Sequence, residues 1–365
     1  MGLDFFPSRT LTIYLAKLFI SRVLAILVML ALVLQMLDLL SESGDILAVK
    51  GNGEAQLWFY VTLRFPQLVA RFLPYSVLLA TLLTFWPLNQ NSEIISMRAG
   101  GLSAHQVLAP LLLTAGLVAV ASFVFNERVV TRANATMKAW EGANWGVIPK
   151  ASGTRSNVYL KDGGNILLAG TLSGQGAATR MENVTWYLRN ADMMVTKEVR
   201  APAATFAAPG WRLEKPVEFD VERAESSQLG ELVVATGVTP GQVAISGVDA
   251  DGQNLWELGR SIEALKAEGR RTTELEGKWW HKISGPLAAL LMPLLGSVAA
   301  FGLARSGQLL VRAIIGMGLG FAYFVIDNAA LAIGNFGGYP PLVAAWTPFL
   351  LFFLVGETVL IRTEE

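Results

Sequence analysis

The stretch VLAPLLLTAGLVAVASFVF (107–125) carries no charge, whereas the next seven residues, NERVVTR (126–132), carry three. A bilayer hydrocarbon core about 30 Å thick takes about 20 apolar residues of helix. Residues 107–125 therefore read as a membrane span, and the chain leaves the bilayer close to Phe125. This boundary divides the whole sequence. Residues 126–282 hold 19 of the 29 basic and 19 of the 29 acidic residues, and the rest of the 365-residue chain holds only 20 charges.

The averages conceal that partition. Net charge is zero, 53% of residues are hydrophobic and 16% are charged, against about 25% charged in ordinary soluble proteins. Mean hydropathy is +0.45. Such values exclude a disordered chain, a nucleic-acid binder with a basic surface and a fully soluble globule. Cysteine is absent, which excludes a disulfide frame, a thiolate metal site and a cysteine nucleophile.

Further spans flank the boundary. The first runs from about Ile13 to Leu37 and the second from about Phe72 to Leu88. Ile283–Ala304 has no charge, and between Ala313 and Gly356 the only charge is Asp327. That last run is too long for one span, and GNFGGYPP (334–341) breaks it in two. The expectation is a membrane α-helical protein of six transmembrane helices with one inserted β domain. The first apolar run is longer than a signal-peptide core and has no small-residue cleavage site after it, so it is expected to remain as a span.

Basic residues in short loops set the orientation. Arg9, Lys17, Arg22, Arg98, Arg305, Arg312 and Arg362 all fall on one side of a six-span arrangement, with Lys50 opposite. Both termini are thus expected in the cytoplasm and the central domain in the periplasm. Trp58, Trp279, Trp280, Tyr339 and Trp346 lie near the expected outer interface, as an aromatic belt does. The division expected is 1–126 (first membrane half), 127–278 (periplasmic domain with flanking helices) and 279–365 (second membrane half).

Within the insert, NVYL (157–160), NILLAGTL (165–172), NVTWYL (183–188) and VEFDV (217–221) read as strands separated by turn residues. Their spacing predicts a β-sandwich or open jelly roll. Before them, residues 127–145 continue the third span as a polar helix. After them, LWELGRSIEALKAEG (255–269) has apolar residues at 255, 258, 262 and 265, a helical stripe.

Chemical motifs are few. GLARSGQ (302–308) lacks the lysine of a phosphate-binding loop. His105 and His281 are far apart, each at a span end, where interfacial placement is the simpler reading. Arg64 and Arg71 share a helix face, as do Arg128 and Arg132. These four guanidiniums at outer span ends are candidates for lipid phosphate, against ordinary snorkelling to headgroups. Asp327 lies in an uncharged run, and an intramembrane acid is a functional candidate by default. The small residues around it, Gly316, Gly318, Gly320, Ala329, Ala330 and Ala332, favour a packing role instead.

NSEIISMRAGGLS (91–103) lies in a short loop on the inner side. Ser92 is positioned as an N-cap with Glu93 in the first turn. Ile94, Ile95, Met97 and Arg98 then form a small amphipathic helix ended at Gly100-Gly101. It reads either as an interfacial hairpin or as a coupling helix that docks on a cytoplasmic ATPase through Glu93, Ile94, Ile95, Met97, Arg98 and Gly100.

The chain resembles the permeases of the lipopolysaccharide-export ABC transporter, the LptF/LptG family (YjgP/YjgQ). Ser92-Glu93, Met97 and the glycine pair look like its SE-x-x-x-M-x-x-x-G segment. Lys282, Pro286 and Leu287 in WHKISGPLAALLMPLL (280–295) look like its K-x-x-x-P-L entry to the fourth span. GMGLGFAYF (316–324) looks like its fifth-span pattern. Asp38-Leu39-Leu40 at the end of the first span points towards the LptG branch. Where LptG relatives often carry a basic residue late in that span, this chain has Gln35.

The resemblance implies three spans, a periplasmic β-jelly roll, then three spans. It also implies pairing with a homologous LptF-like permease and two copies of a cytoplasmic ATPase, beside a single-span LptC-like jelly-roll protein. Lipopolysaccharide is the implied cargo. No cofactor is implied for this chain, ATP being used by the separate ATPase, and the chain is implied to be a transporter subunit rather than an enzyme. Two other readings stay open at this point: a membrane scaffold whose β domain binds envelope partners, and an intramembrane enzyme using Asp327, for which no second acid or histidine pair is evident.

Overall fold

The computed structural model describes residues 6–147, 155–174, 178–240, 243, 248–267, 269–297, 301 and 309–362. The membrane half consists of α1 (Arg9–Ala48), α2 (Glu54–Gln90), α3 (Glu93–Ala99), α4 (Ala104–Phe125) and α5 (Thr131–Gly142). It resumes after the β domain as α6 (Leu255–Ala267), α7 (Thr273–Gly296), α8 (Leu309–Asn335) and α9 (Pro341–Arg362). Among the described residues, five helical segments are long and apolar enough to cross a membrane: α1, α2, α4 with its extension through α5, α8 from Ala313, and α9. The fourth expected span, 283–304, coincides with α7 up to Gly296. Most of its remainder lies outside the described residues, as does Arg305.

The helix ends follow from local sequence. Ser8 Oγ accepts the Leu11 N–H at 3.4 Å to start α1. Ser103 and Gln106 form a reciprocal capping box at the start of α4, with bonds of 3.0 and 3.1 Å. α2 contains Pro66, Pro74 and Pro87, which a helix packed among others in lipid tolerates.

One apolar cluster joins the bundle. Phe19 of α1, Val77 and Phe85 of α2, Leu108 and Leu111 of α4, Leu291 and Leu295 of α7, Tyr323 of α8 and Phe352 of α9 meet within it. Small residues set how closely the helices approach. A Cβ on Gly356 would lie 2.6 Å from Leu294 Cγ, and one on Gly320 only 2.3 Å from Leu78 Cδ2. The outward faces are equally apolar: Leu24, Val28, Leu32, Met36 and Leu40 of α1 are all exposed. In water such a stripe is a liability. Against hydrocarbon it costs nothing.

Among the described residues the β domain has eight strands: β1 (Arg155–Asp162), β2 (Asn165–Ser173), β3 (Arg180–Arg189), β4 (Val195–Ala207), β5 (Gly210–Glu214), β6 (Val217–Asp220), β7 (Glu225–Gln228) and β8 (Leu232–Val234). All pairings are antiparallel, in the order β1-β2-β3-β4-β5-β8. β4 is shared: residues 203–207 pair with β5 and residues 197–200 pair with β6, which in turn pairs with β7. The sheet thus splits into two wings, as an open jelly roll does. Val158, Leu167, Met181, Val184, Trp186 and Trp211 fill its core, and Trp211 Nε1 donates to the Val238 carbonyl at 2.9 Å.

The packing makes a paired prediction. Gly356→Ala forces a Cβ against buried Leu294 and is expected to cost about 1–3 kcal/mol. Gly318→Ala, with nothing within 4 Å of its Cβ, is expected to be near neutral. Thermal unfolding of the detergent-solubilised variants checks both.

Candidate functional site

The loop at 91–103 folds as expected, with one difference. Ser92 stands at the N-cap of α3, but its φ of +60° leaves the hydroxyl without a capping bond. The other end is a glycine stop. Gly101 N–H bonds the Arg98 carbonyl, Leu102 N–H reaches the Met97 carbonyl at 3.2 Å, and Gly101 sits at φ +92°. Ile94 is only 3% exposed and, with Met97 packed beside it, anchors α3 to the bundle core. Ile95, Arg98 and Gly100 point outward and Glu93 is half-buried. The arrangement is a short, fixed knob whose outward face mixes one large apolar side chain with a cation. Of the six residues expected to dock, Ile94 is turned inward.

At the other end of α1 and α2, Asp38 accepts a two-pronged contact from Arg64, at 2.9 Å from Nε and 2.8 Å from Nη2. Tyr60 also donates its hydroxyl to Asp38, and the remaining Arg64 amine reaches Gln67 at 2.9 Å. Fork-to-fork pairing of this kind is the strong form of the interaction. Arg64 and Arg71, grouped by sequence, therefore part company: Arg64 is committed to α1. Arg128 and Arg132 are both exposed. Gln35, one helical turn before Asp38, is 6% exposed, and neither of its side-chain polar atoms has a hydrogen-bond partner among the described residues.

Arg71 belongs to a different site. Between α2, α4, α7 and α8 lies a cavity of about 390 Å³, lined by Arg71, Tyr75, Lys278, His281, Lys282, Tyr323 and Asp327, among others. Its position follows from helix length. Arg71 is 19 residues before the end of α2, about 28 Å at 1.5 Å per residue. That matches one hydrocarbon thickness, so the cavity sits at one membrane interface.

A single irregularity in the backbone shapes it. Between α4 and α5 the helix widens into a π-turn at Asn126–Val130. Such turns recur at functional positions because they re-aim side chains. This one directs Glu127 into the cavity wall. Glu127 Oε1 is 3.7 Å from Lys282 Nζ, with the two side chains 13% and 16% exposed, and Glu127 Oε2 accepts the backbone N–H of Leu255. Leu255 begins α6, and a carboxylate at a helix N-terminus meets free N–H groups and the favourable end of the dipole. Glu127 thus ties α4, α6 and α7 together.

Asp327 is 6% exposed. His281 Nε2 lies 3.8 Å away, an ion-pair distance longer than a hydrogen bond. Sequence reasoning gave Asp327 no histidine neighbour; folding supplies one. His105, expected at an interface, lies 3.2 Å from Glu357. Sequence reasoning also missed Glu127. The available signal was that Asn126-Glu127 and His281-Lys282 flank two spans at the same membrane level, where opposite charges must meet or pay for desolvation.

A family model described as lipopolysaccharide export system permease LptF/LptG matches residues 13–362. The chain is 25% identical over 366 aligned positions to the lipopolysaccharide export system permease protein LptG of Escherichia coli K12, covering 98% of this chain and 99% of that protein. It is 21% identical to the protein of the same name from Haemophilus influenzae, covering 86% of this chain and 89% of the relative. The chain belongs to the LptF/LptG family.

Removing Glu127 leaves the half-buried Lys282 without its partner. Glu127→Ala is expected to cost about 3 kcal/mol, read as a lowered unfolding temperature. Glu127→Gln, which still accepts from Leu255, is expected to cost less.

Proposed function

We propose that this chain, a lipopolysaccharide-export permease by family, is the LptG-type subunit of its transporter. It takes lipopolysaccharide from the inner membrane and passes it to a periplasmic bridge of β-jelly rolls. The observation that carries this reading is α3, anchored by Ile94 to the bundle core, in a chain that matches the permease family over nearly its whole length. A knob fixed to the bundle transmits force, whereas a loosely held hairpin does not.

In this reading both termini and α3 face the cytoplasm, and residues 127–278 stand in the periplasm between membrane halves 1–126 and 279–365. A homologous LptF-like permease completes the cavity for the lipid, two copies of an ATPase bind below, and a single-span LptC-like jelly-roll protein joins the bridge. ATP is consumed by the ATPase, and this chain holds no cofactor. On α3, Glu93, Ile95, Arg98 and Gly100 meet the ATPase while Ile94, with Met97 packed beside it, holds the helix in place. Arg71, Arg128 and Arg132 are the lipid-phosphate contacts, since Arg64 is engaged by Asp38. Gln35 contributes a neutral donor and acceptor where relatives place a cation. The LptG branch is supported by the relatives, which carry that name.

Reversing both charges on α3, Glu93→Lys with Arg98→Glu, is expected to lower co-purification of the ATPase by about tenfold or more. The protein should remain in the membrane fraction, and undiminished co-purification overturns the coupling role. Because the chain has no cysteine, orientation can be read with single cysteines. An impermeant maleimide is expected to label Ser227→Cys in intact spheroplasts and Ser92→Cys only after lysis; the reverse pattern inverts the topology.

A further inference from the structure

Most charges around the interfacial cavity are matched. Glu127 pairs with Lys282 at 3.7 Å, and Lys278 lies 3.8 Å from Asp251 and 3.4 Å from Glu274. Two charges lack a lysine, arginine or carboxylate partner among the described residues. Arg71, at the exposed mouth, has no hydrogen bond or ion pair among the described residues. Asp327, more than nine-tenths buried, has no hydrogen-bond donor among them, and only His281 at 3.8 Å for company. An imidazole at 3.8 Å gives that carboxylate no hydrogen bond, and a buried carboxylate in that condition is costly. Tyr75 stacks on Phe324 with ring centroids 3.9 Å apart, and both rings line the same cavity as the two charges.

We infer that the cavity formed by Arg71, Tyr75, Phe324 and Asp327 binds the zwitterionic phosphoethanolamine headgroup of a membrane lipid. The guanidinium of Arg71 takes the phosphate in a two-pronged contact at the mouth. The primary ammonium reaches inward to the Asp327 carboxylate, giving it the hydrogen-bond donors it lacks, and crosses the face of Tyr75, where a cation is favoured. A free phosphate satisfies only Arg71, and a simple cation only Asp327. The separation of one cation at the rim from one anion within selects a ligand carrying both charges. The acyl chains leave towards the hydrocarbon. Assignment to the outer leaflet rests on the orientation proposed above; the headgroup chemistry does not.

The test uses the purified full-length protein with its co-purifying subunits, in nanodiscs of equimolar phosphatidylethanolamine and phosphatidylglycerol. Lipid retained after release into detergent is identified by mass. The wild type is expected to retain phosphatidylethanolamine over phosphatidylglycerol by about tenfold, the size of one charge-assisted hydrogen bond. Asp327→Asn should abolish that preference with phosphatidylglycerol retention unchanged, and Arg71→Gln should lower retention of both. Asp327→Glu and Arg71→Lys, eluting as the wild type does, guard against misfolding and should keep part of the preference. Equal retention of the two lipids by the wild type overturns the inference, as does a preference that survives Asp327→Asn. The mass also separates a glycerophospholipid from a phosphoethanolamine-bearing glycolipid; either satisfies the site. Lipopolysaccharide extraction by the same variants is scored separately. Unimpaired extraction by Arg71→Gln counts against Arg71 as a transport contact alone and leaves the headgroup inference to the retention assay.

Discussion

A charge beside hydrocarbon must find a partner, and in this protein Glu127 meets that requirement for three segments at once. Its carboxylate faces Lys282 and caps Leu255, residues that sequence separates from it by more than a hundred positions. The π-turn at Asn126–Val130 makes this possible. A regular α-helix continuing from Phe125 would present Glu127 along a different direction. The extra residue in the turn re-aims the carboxylate while the helix carries on into α5. Where α4 leaves the bilayer, where α7 enters it and where the β domain returns through α6 are thus fixed by one side chain.

Much of the fold was legible because the bilayer imposes a crude rule. Long uncharged runs are spans, and the dense charges of 126–282 cannot be one. The strands around Val158, Leu167 and Val184 and the helix at 255–267 were equally readable, since their alternation and their stripe reflect burial on one face. β4, the longest strand, was not. VTKEVRAPAATFA (195–207) mixes charge, proline and alanine because its two halves serve different neighbours, so no single period runs through it.

The site was less legible than the fold. α3 could be read, because its glycine stop and its apolar pair are local features. The inward turn of Ile94 could not, since it depends on the bundle behind it. Grouping Arg64 with Arg71 by helical spacing ignored that α1 carries Asp38 at the level of one and nothing comparable at the level of the other. A residue can be assigned to a face from its own helix alone. Its partner always belongs to another helix.

The length of the first two helices has a mechanical meaning. α1 has 40 residues and α2 has 37, so α1 is a rod about 60 Å long, twice the bilayer core. The contacts of Arg64 and Tyr60 with Asp38 bind the two rods together beyond the membrane. A hairpin clamped in this way moves as one lever. A tilt of about 5° applied at one end displaces the other by about 5 Å over that length, so a small rocking beneath the membrane becomes a stroke comparable to a full helical turn above it.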